Sequence, residues 1–149
     1  MNVFESAMKM ELDGKEYYEK LMELTEDNGL KKIFEMLAED EERHNKILSK
    51  IQDGCDIEIK SEILKKANNI FVNMLFSENN YNVDMDHIKD YKYACDLEEK
   101  SIKFYEELFN KARNEKEKEI LKRLFEEEKK HKLILENVIE FIDVEWKLG

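Results

Sequence analysis

Glu41-Glu42-Arg43-His44 and Glu128-Lys129-Lys130-His131 are the two stretches on which the reading of this chain turns. Each sets a glutamate three residues before a histidine, and the two occupy one position of an internal repeat. Sliding the second half of the chain back onto the first lays Glu98 on Glu11, Glu128 on Glu41 and His131 on His44, since 98 minus 11, 128 minus 41 and 131 minus 44 all equal 87. The same shift carries Ala94 onto Ala7, Phe104-Tyr105 onto Tyr17-Tyr18 and Leu124 onto Leu37 without a gap. Two related helical hairpins follow, joined by the segment from about 53 to 84.

The residues around these stretches favour helix almost throughout. Proline is absent, glycine occurs 4 times, and charged and hydrophobic residues stand at 41% and 42%, the mixture that amphipathic helices need. Gly29 and Gly54 read as helix stops, giving a first helix of 3 to 27 and a second of 30 to 52. Ser61 is expected to cap a shorter connecting helix over 62–76, and Asp84 a long helix running to Arg113. The last long helix begins after Asn114 and runs to about Ile142, with Trp146 packed against a helix end. A connecting helix of that length spans about 22 Å at 1.5 Å per residue, too long for a tight turn and suited to a crossover along a bundle. The expected fold is an all-α four-helix bundle of two repeated hairpins with one long crossover, a single domain over residues 1–149.

Three-then-four spacing along each long helix marks a buried seam, and charged residues fall inside it. The first seam reads Phe4, Ala7, Glu11, Gly14, Tyr18, Leu21, and the second Phe34, Leu37, Glu41, His44, Leu48, Ile51. The other half offers Tyr91, Ala94, Glu98, Ser101, Tyr105, Leu108 and then Leu121, Leu124, Glu128, His131, Leu135, Val138. Burying four carboxylates uncompensated would cost several kcal/mol per ion, more than a domain's net stability of about 5–15 kcal/mol allows. Two divalent cations would match the four negative charges and accept nitrogen from neutral imidazole as well. Glu and His at i and i+3 share a helix face, so one helix can present both toward one metal pair. The metal-free alternative is a buried Glu–His hydrogen-bond network kept for packing. Glu126 and Glu127 lie off the seam and are expected to be solvated, and His87 is expected on the surface.

With those residues in place, Glu11, Glu41, His44, Glu98, Glu128 and His131 resemble the ligand set of the rubrerythrin branch of the ferritin-like di-iron carboxylate family, over roughly residues 3–52 and 85–142. The resemblance implies a ferritin-like bundle in which Glu41 and Glu128 bridge two ions, Glu11 and Glu98 are terminal ligands, and His44 and His131 complete the two shells. It implies iron as the metal, with manganese or zinc also compatible with the donors. Tyr18 and Tyr105, two turns beyond Glu11 and Glu98, are catalytic candidates whose phenols could hydrogen-bond a ligand carboxylate or an oxygen-derived species, with plain packing the alternative. Two departures stand out. Rubrerythrins usually append an iron–thiolate domain, whereas this sequence carries only Cys55 and Cys95 and no C-x-x-C pair, so electrons are expected from an external donor protein. They also typically carry a further carboxylate one turn after the third-helix glutamate, where Ser101 stands here.

The function expected from that resemblance is reduction of hydrogen peroxide or oxygen by the reduced metal pair. The alternatives are oxidation and handling of ferrous iron, or a metal-binding structural bundle without catalysis. A net charge of -11 argues against a nucleic-acid partner, and no apolar run reaches membrane-spanning length. The unpaired cysteines and the absence of a secretory pattern point to the cytoplasm. A homodimer or higher homo-oligomer is expected.

Overall fold

The computed structural model describes residues 2–53, 61–76 and 86–148, with the side chains of 76 and 145–148 left out. Five helices follow in order: α1 (Val3–Leu24), α2 (Asn28–Gln52), α3 (Ile63–Phe76), α4 (Ile88–Asn110) and α5 (Glu115–Leu148), with no strand among the described residues. The chain is an all-α bundle, as its composition requires. α1 packs along α2 and α4 along α5, while α1 also meets α4, α2 meets α5, and the crossover helix α3 lies against α2 and α5.

Helix starts follow local chemistry. Asn2 opens α1 with a reciprocal capping box: its side chain accepts from the Glu5 amide at 2.8 Å and its own amide donates to the Glu5 carboxylate at 3.4 Å. Asn114 opens α5, accepting from the Glu117 amide at 2.8 Å. Between α1 and α2 the reading of Gly29 as a stop is overturned. Asp27 caps α2, accepting from the Leu30 amide at 2.9 Å, and Gly29 lies inside that helix. Its value there is space, because a Cβ would stand 2.6 Å from the Met74 sulfur of α3. The first helix ends at Leu24 rather than 27, and the fourth at Asn110 rather than Arg113. α4 begins at Ile88 after His87, which makes no side-chain cap bond and is only partly exposed. The last helix continues to Leu148, beyond the expected end at Ile142. The expected stop at Gly54, the cap at Asp84 and the packing of Trp146 lie outside the described residues and side chains.

The seams are buried as their spacing demands. Two apolar clusters fill the bundle. One gathers Tyr18, Leu21, Phe34, Leu37, Ala94 and Leu135 with Ile63, Ala67 and Met74 of the crossover. The other gathers Phe4, Ala7, Leu48, Tyr105, Leu121 and Leu124. The charged seam residues occupy the helix segments between them, so the repeat produces a polar layer sandwiched between two hydrophobic ones.

Candidate metal centre

Each of the four long helices delivers its seam acid to this layer. Glu11 comes from α1, Glu41 and His44 from α2, Glu98 from α4, and Glu128 and His131 from α5, and none is more than 4% exposed. They fall into two groups whose donor atoms lie within 4.8 Å of one another: Glu11, Glu41, His44 and Glu128, and Glu41, Glu98, Glu128 and His131. Glu41 and Glu128 belong to both. The imidazoles lie parallel, 7° apart with centroids 5.4 Å apart. Both turn Nδ1 toward the carboxylates, His44 at 3.1 Å from Glu128 Oε1 and His131 at 2.8 Å from Glu41 Oε1. Tyr18 and Tyr105 close the layer from either side. Tyr18 Oη donates to Glu98 Oε1 and Tyr105 Oη to Glu11 Oε1, each at 2.5 Å.

The electrostatics show what such a layer does without metal. Burial, and then the charges of neighbouring carboxylates, push Glu41 and Glu128 well above the ordinary carboxyl range. Burial acts the same way on Glu11 and Glu98. There it is outweighed, at Glu11 chiefly by the His44 imidazole and at Glu98 by the neighbouring Glu128 and His131 together with the Tyr18 hydroxyl, and both end below their usual value. Burial would lower His131, but Glu98 overrides it and raises the imidazole to about 9. Tyr18 and Tyr105 are driven well above 10 by burial and by the carboxylates they contact. The shared glutamates therefore hold protons more tightly than ordinary carboxylates do, which is the charge that bound cations would replace. Glu11 Oε2, Glu98 Oε2 and Glu128 Oε2 remain buried without a hydrogen-bond partner. Orphaned oxygens of this kind are costly unless something else binds them. The donor set fits a pair of divalent ions.

One residue of the layer escaped the sequence reading. Asp40, 1% exposed, lies behind the two imidazoles, with Oδ2 in contact with His131 Nε2 and 3.4 Å from His44 Nε2. Its other oxygen pairs with the half-exposed Arg43 guanidinium. A carboxylate on the far nitrogen of a ligating imidazole fixes the tautomer that leaves the near nitrogen free to bind metal. The repeat carried a signal, since 127 minus 40 is also 87 and an acid stands at both positions. Glu127 corrects the expectation of solvation. It is 4% exposed, one oxygen bonded to Lys130 at 3.0 Å and the other without a hydrogen-bond partner, because α5 turns this side toward the bundle and not toward water. Glu126 is exposed as expected.

A family model described as Rubrerythrin matches residues 2–139. The chain belongs to the rubrerythrin family. No curated protein and no solved structure matches it. Rubrerythrins are di-iron proteins, and in this member the carboxylate and imidazole clusters capable of holding metal lie where the two repeat halves meet. Ser101, at the position of the additional rubrerythrin carboxylate, bonds its hydroxyl back to the Leu97 carbonyl of its own helix at 3.1 Å and brings no charge to the layer. Cys95 is half-buried beside the larger apolar cluster, and burial first and Glu136 next push its thiol up to about 11, which disfavours the thiolate. Among the described residues no helix is long and apolar enough to cross a membrane.

Proposed function

We propose that this chain is a di-iron carboxylate redox protein that reduces hydrogen peroxide or oxygen with electrons from a separate donor. The observation that carries the reading is the sharing of Glu41 and Glu128 between two buried ligand groups, each completed by one glutamate and one histidine of its own. Glu41 and Glu128 would bridge, Glu11 with His44 would complete one shell, and Glu98 with His131 the other. A ferrous pair held there would supply the two electrons that reduction of peroxide to water consumes.

The chain's own groups do the rest. Asp40 hydrogen-bonds Nε2 of His131 and lies 3.4 Å from Nε2 of His44, on the side away from the carboxylates that the Nδ1 atoms face. Tyr18 and Tyr105 orient Glu98 and Glu11 and carry hydroxyl protons at the edge of the layer. The apolar clusters on either side exclude bulk water. Residues 1–149 hold no C-x-x-C pair, and the electrons would reach the metal pair from a donor separate from this bundle. The action would be that of a cytoplasmic enzyme of the oxidative-stress response, consistent with a sequence of only two cysteines and no C-x-x-C pair.

Anaerobically purified protein loaded with two ferrous ions per chain tests this. Peroxide should oxidise the pair rapidly in the wild type and far more slowly in Glu128→Ala. Equal rates in the two proteins would end the reading.

A further inference from the structure

A cleft of about 500 Å³ opens between α1 and α4. Gly14 and Ser101 form its facing walls, and Glu41 and Glu98 lie at its floor. These walls are repeat equivalents, since 101 minus 14 is 87. Of all the seam positions on the four long helices, Gly14 and Ser101 are the only two that are not buried. The apolar seal around the polar layer is therefore broken at one place, one turn beyond the glutamates of α1 and α4. Small side chains break it. At Gly14 even a Cβ would stand 3.1 Å from Glu41 Oε2.

A symmetric pair of walls would be expected to expose both halves of the layer alike. The floor is not symmetric. Glu41 and Glu98 reach the cleft, whereas their repeat mates Glu128 and Glu11 do not. Glu41 and Glu98 stand together in only one of the two ligand groups, the one completed by Glu128 and His131. The group completed by Glu11 and His44 meets the cleft through Glu41 alone. Both Glu98 and Glu11 have Oε1 taken by a tyrosine and Oε2 buried without a hydrogen-bond partner, and of the two only Glu98 lines the cleft. At the rim Lys9 pairs with Asp13 at 3.0 Å, and Lys100 adds a positive charge to an otherwise acidic molecule, so a small anion is not turned away at the mouth.

We propose that this cleft is the route by which an exogenous ligand reaches the metal centre, and that it serves one half of the pair. A single small neutral or monoanionic molecule meets the Glu41–Glu98–Glu128–His131 group, while the Glu11–His44 side stays closed. The inference rests on the metal-centre reading above and deepens it: it makes two chemically alike halves inequivalent through access alone.

Cobalt-substituted protein tests it by spectroscopy without turnover. Two Co(II) ions per chain are loaded and azide is titrated while the visible absorption is followed. The expected result is one azide bound per chain, altering the bands of one cobalt ion and leaving the other unchanged. Ser101→Phe and Leu97→Trp, which fill the cleft from its α4 wall, should weaken azide at least tenfold while both cobalt ions stay bound. Ser101→Ala should bind azide as the wild type does. Two azides per chain, or equal changes at both cobalt ions, would overturn the one-sided route, as would unweakened azide binding in both filled variants. If the filled variants lose cobalt, the wild-type stoichiometry still decides, one azide supporting the route and two refuting it. A wild type that holds no cobalt pair refutes the metal centre itself, and the route with it.

Discussion

Tyr105 on α4 donates its hydroxyl proton to Glu11 on α1 at 2.5 Å, and the repeat returns the favour through Tyr18 and Glu98. Each hairpin's tyrosine holds the other hairpin's carboxylate. Both acceptors are buried and are the two glutamates held below the ordinary carboxyl range, so they are the ionised members of the metal-free layer. A hydrogen bond to a charged group contributes about 1.5–3 kcal/mol. Tyr105→Phe and Tyr18→Phe should each lower the unfolding free energy of the metal-free protein by about that much, and by similar amounts. Urea unfolding checks this, and a change below about 0.5 kcal/mol in either variant would show that the bond adds nothing to stability.

Asp40 serves both imidazoles from one carboxylate. Its removal should therefore weaken both metal positions together. In Asp40→Ala, metal affinity is expected to fall about 10- to 100-fold, measured by competition with a coloured chelator. Arg43→Ala, which strips only the half-exposed guanidinium from the outer oxygen, should cost far less. Equal losses in the two variants would contradict the role given to Asp40.

Protonation and metal compete for the same atoms. Glu41 and Glu128 are raised by burial and neighbouring charge, and His131 is raised to about 9. A raised folded-state pKa means that the native state binds the proton more tightly than the unfolded chain. That contribution is complete below the unfolded value and is lost as pH rises through the folded one. For His131 the window runs from about 6.5 to about 9. The metal-free protein should lose several degrees of Tm between pH 6.5 and 9, and the raised glutamates act in the same direction. Metal ions displace these protons, so metal affinity should rise over the same range and loading should release protons. Thermal scans with and without metal, together with proton release in weakly buffered solution, check both halves. A metal-free Tm that climbs from pH 6.5 to 9 would reverse the sign.

Gly14→Ala separates helix propensity from the site. Replacing an internal helical glycine by alanine gains about 0.5–1 kcal/mol. The new Cβ meets Glu41 Oε2 at 3.1 Å, and Glu41 belongs to both ligand groups. The metal-free variant is expected to be at least as stable as the wild type and yet to bind metal more weakly. Calorimetric titration beside a thermal scan tests this split, and undiminished metal binding would show that Glu41 moves aside freely.

Much of this was legible before any coordinate. The repeat identified Glu11, Glu41, His44, Glu98, Glu128 and His131, and all six lie in one buried layer. Two local signals misled. Gly29 read as a stop because glycine often ends helices, but the helix boundary was set two residues earlier by Asp27 as a cap, and the glycine answers to Met74 of a distant helix. Glu127 read as solvated because it stands off the seam, yet the seam is only the centre line of a wider buried face.

The sequence by itself determined the helical class, the duplication and the identity of the four seam glutamates and the two imidazoles, but not the burial of Asp40 or Glu127. Helical spacing and repeat register are properties of the chain taken along its length, and they say which face turns inward. Only the tertiary structure decided which atoms meet across that interior. The exchange of bonds between Tyr18 and Glu98 and between Tyr105 and Glu11, the single Asp40 behind two imidazoles, and a cleft that reaches Glu98 and not Glu11 all depend on how hairpins pack. Equivalent residues in a duplicated sequence become inequivalent because their neighbours, Asp40 against Glu127 and Gly14 against Ser101, differ in length and shape, and packing responds to shape at the scale of a single methylene.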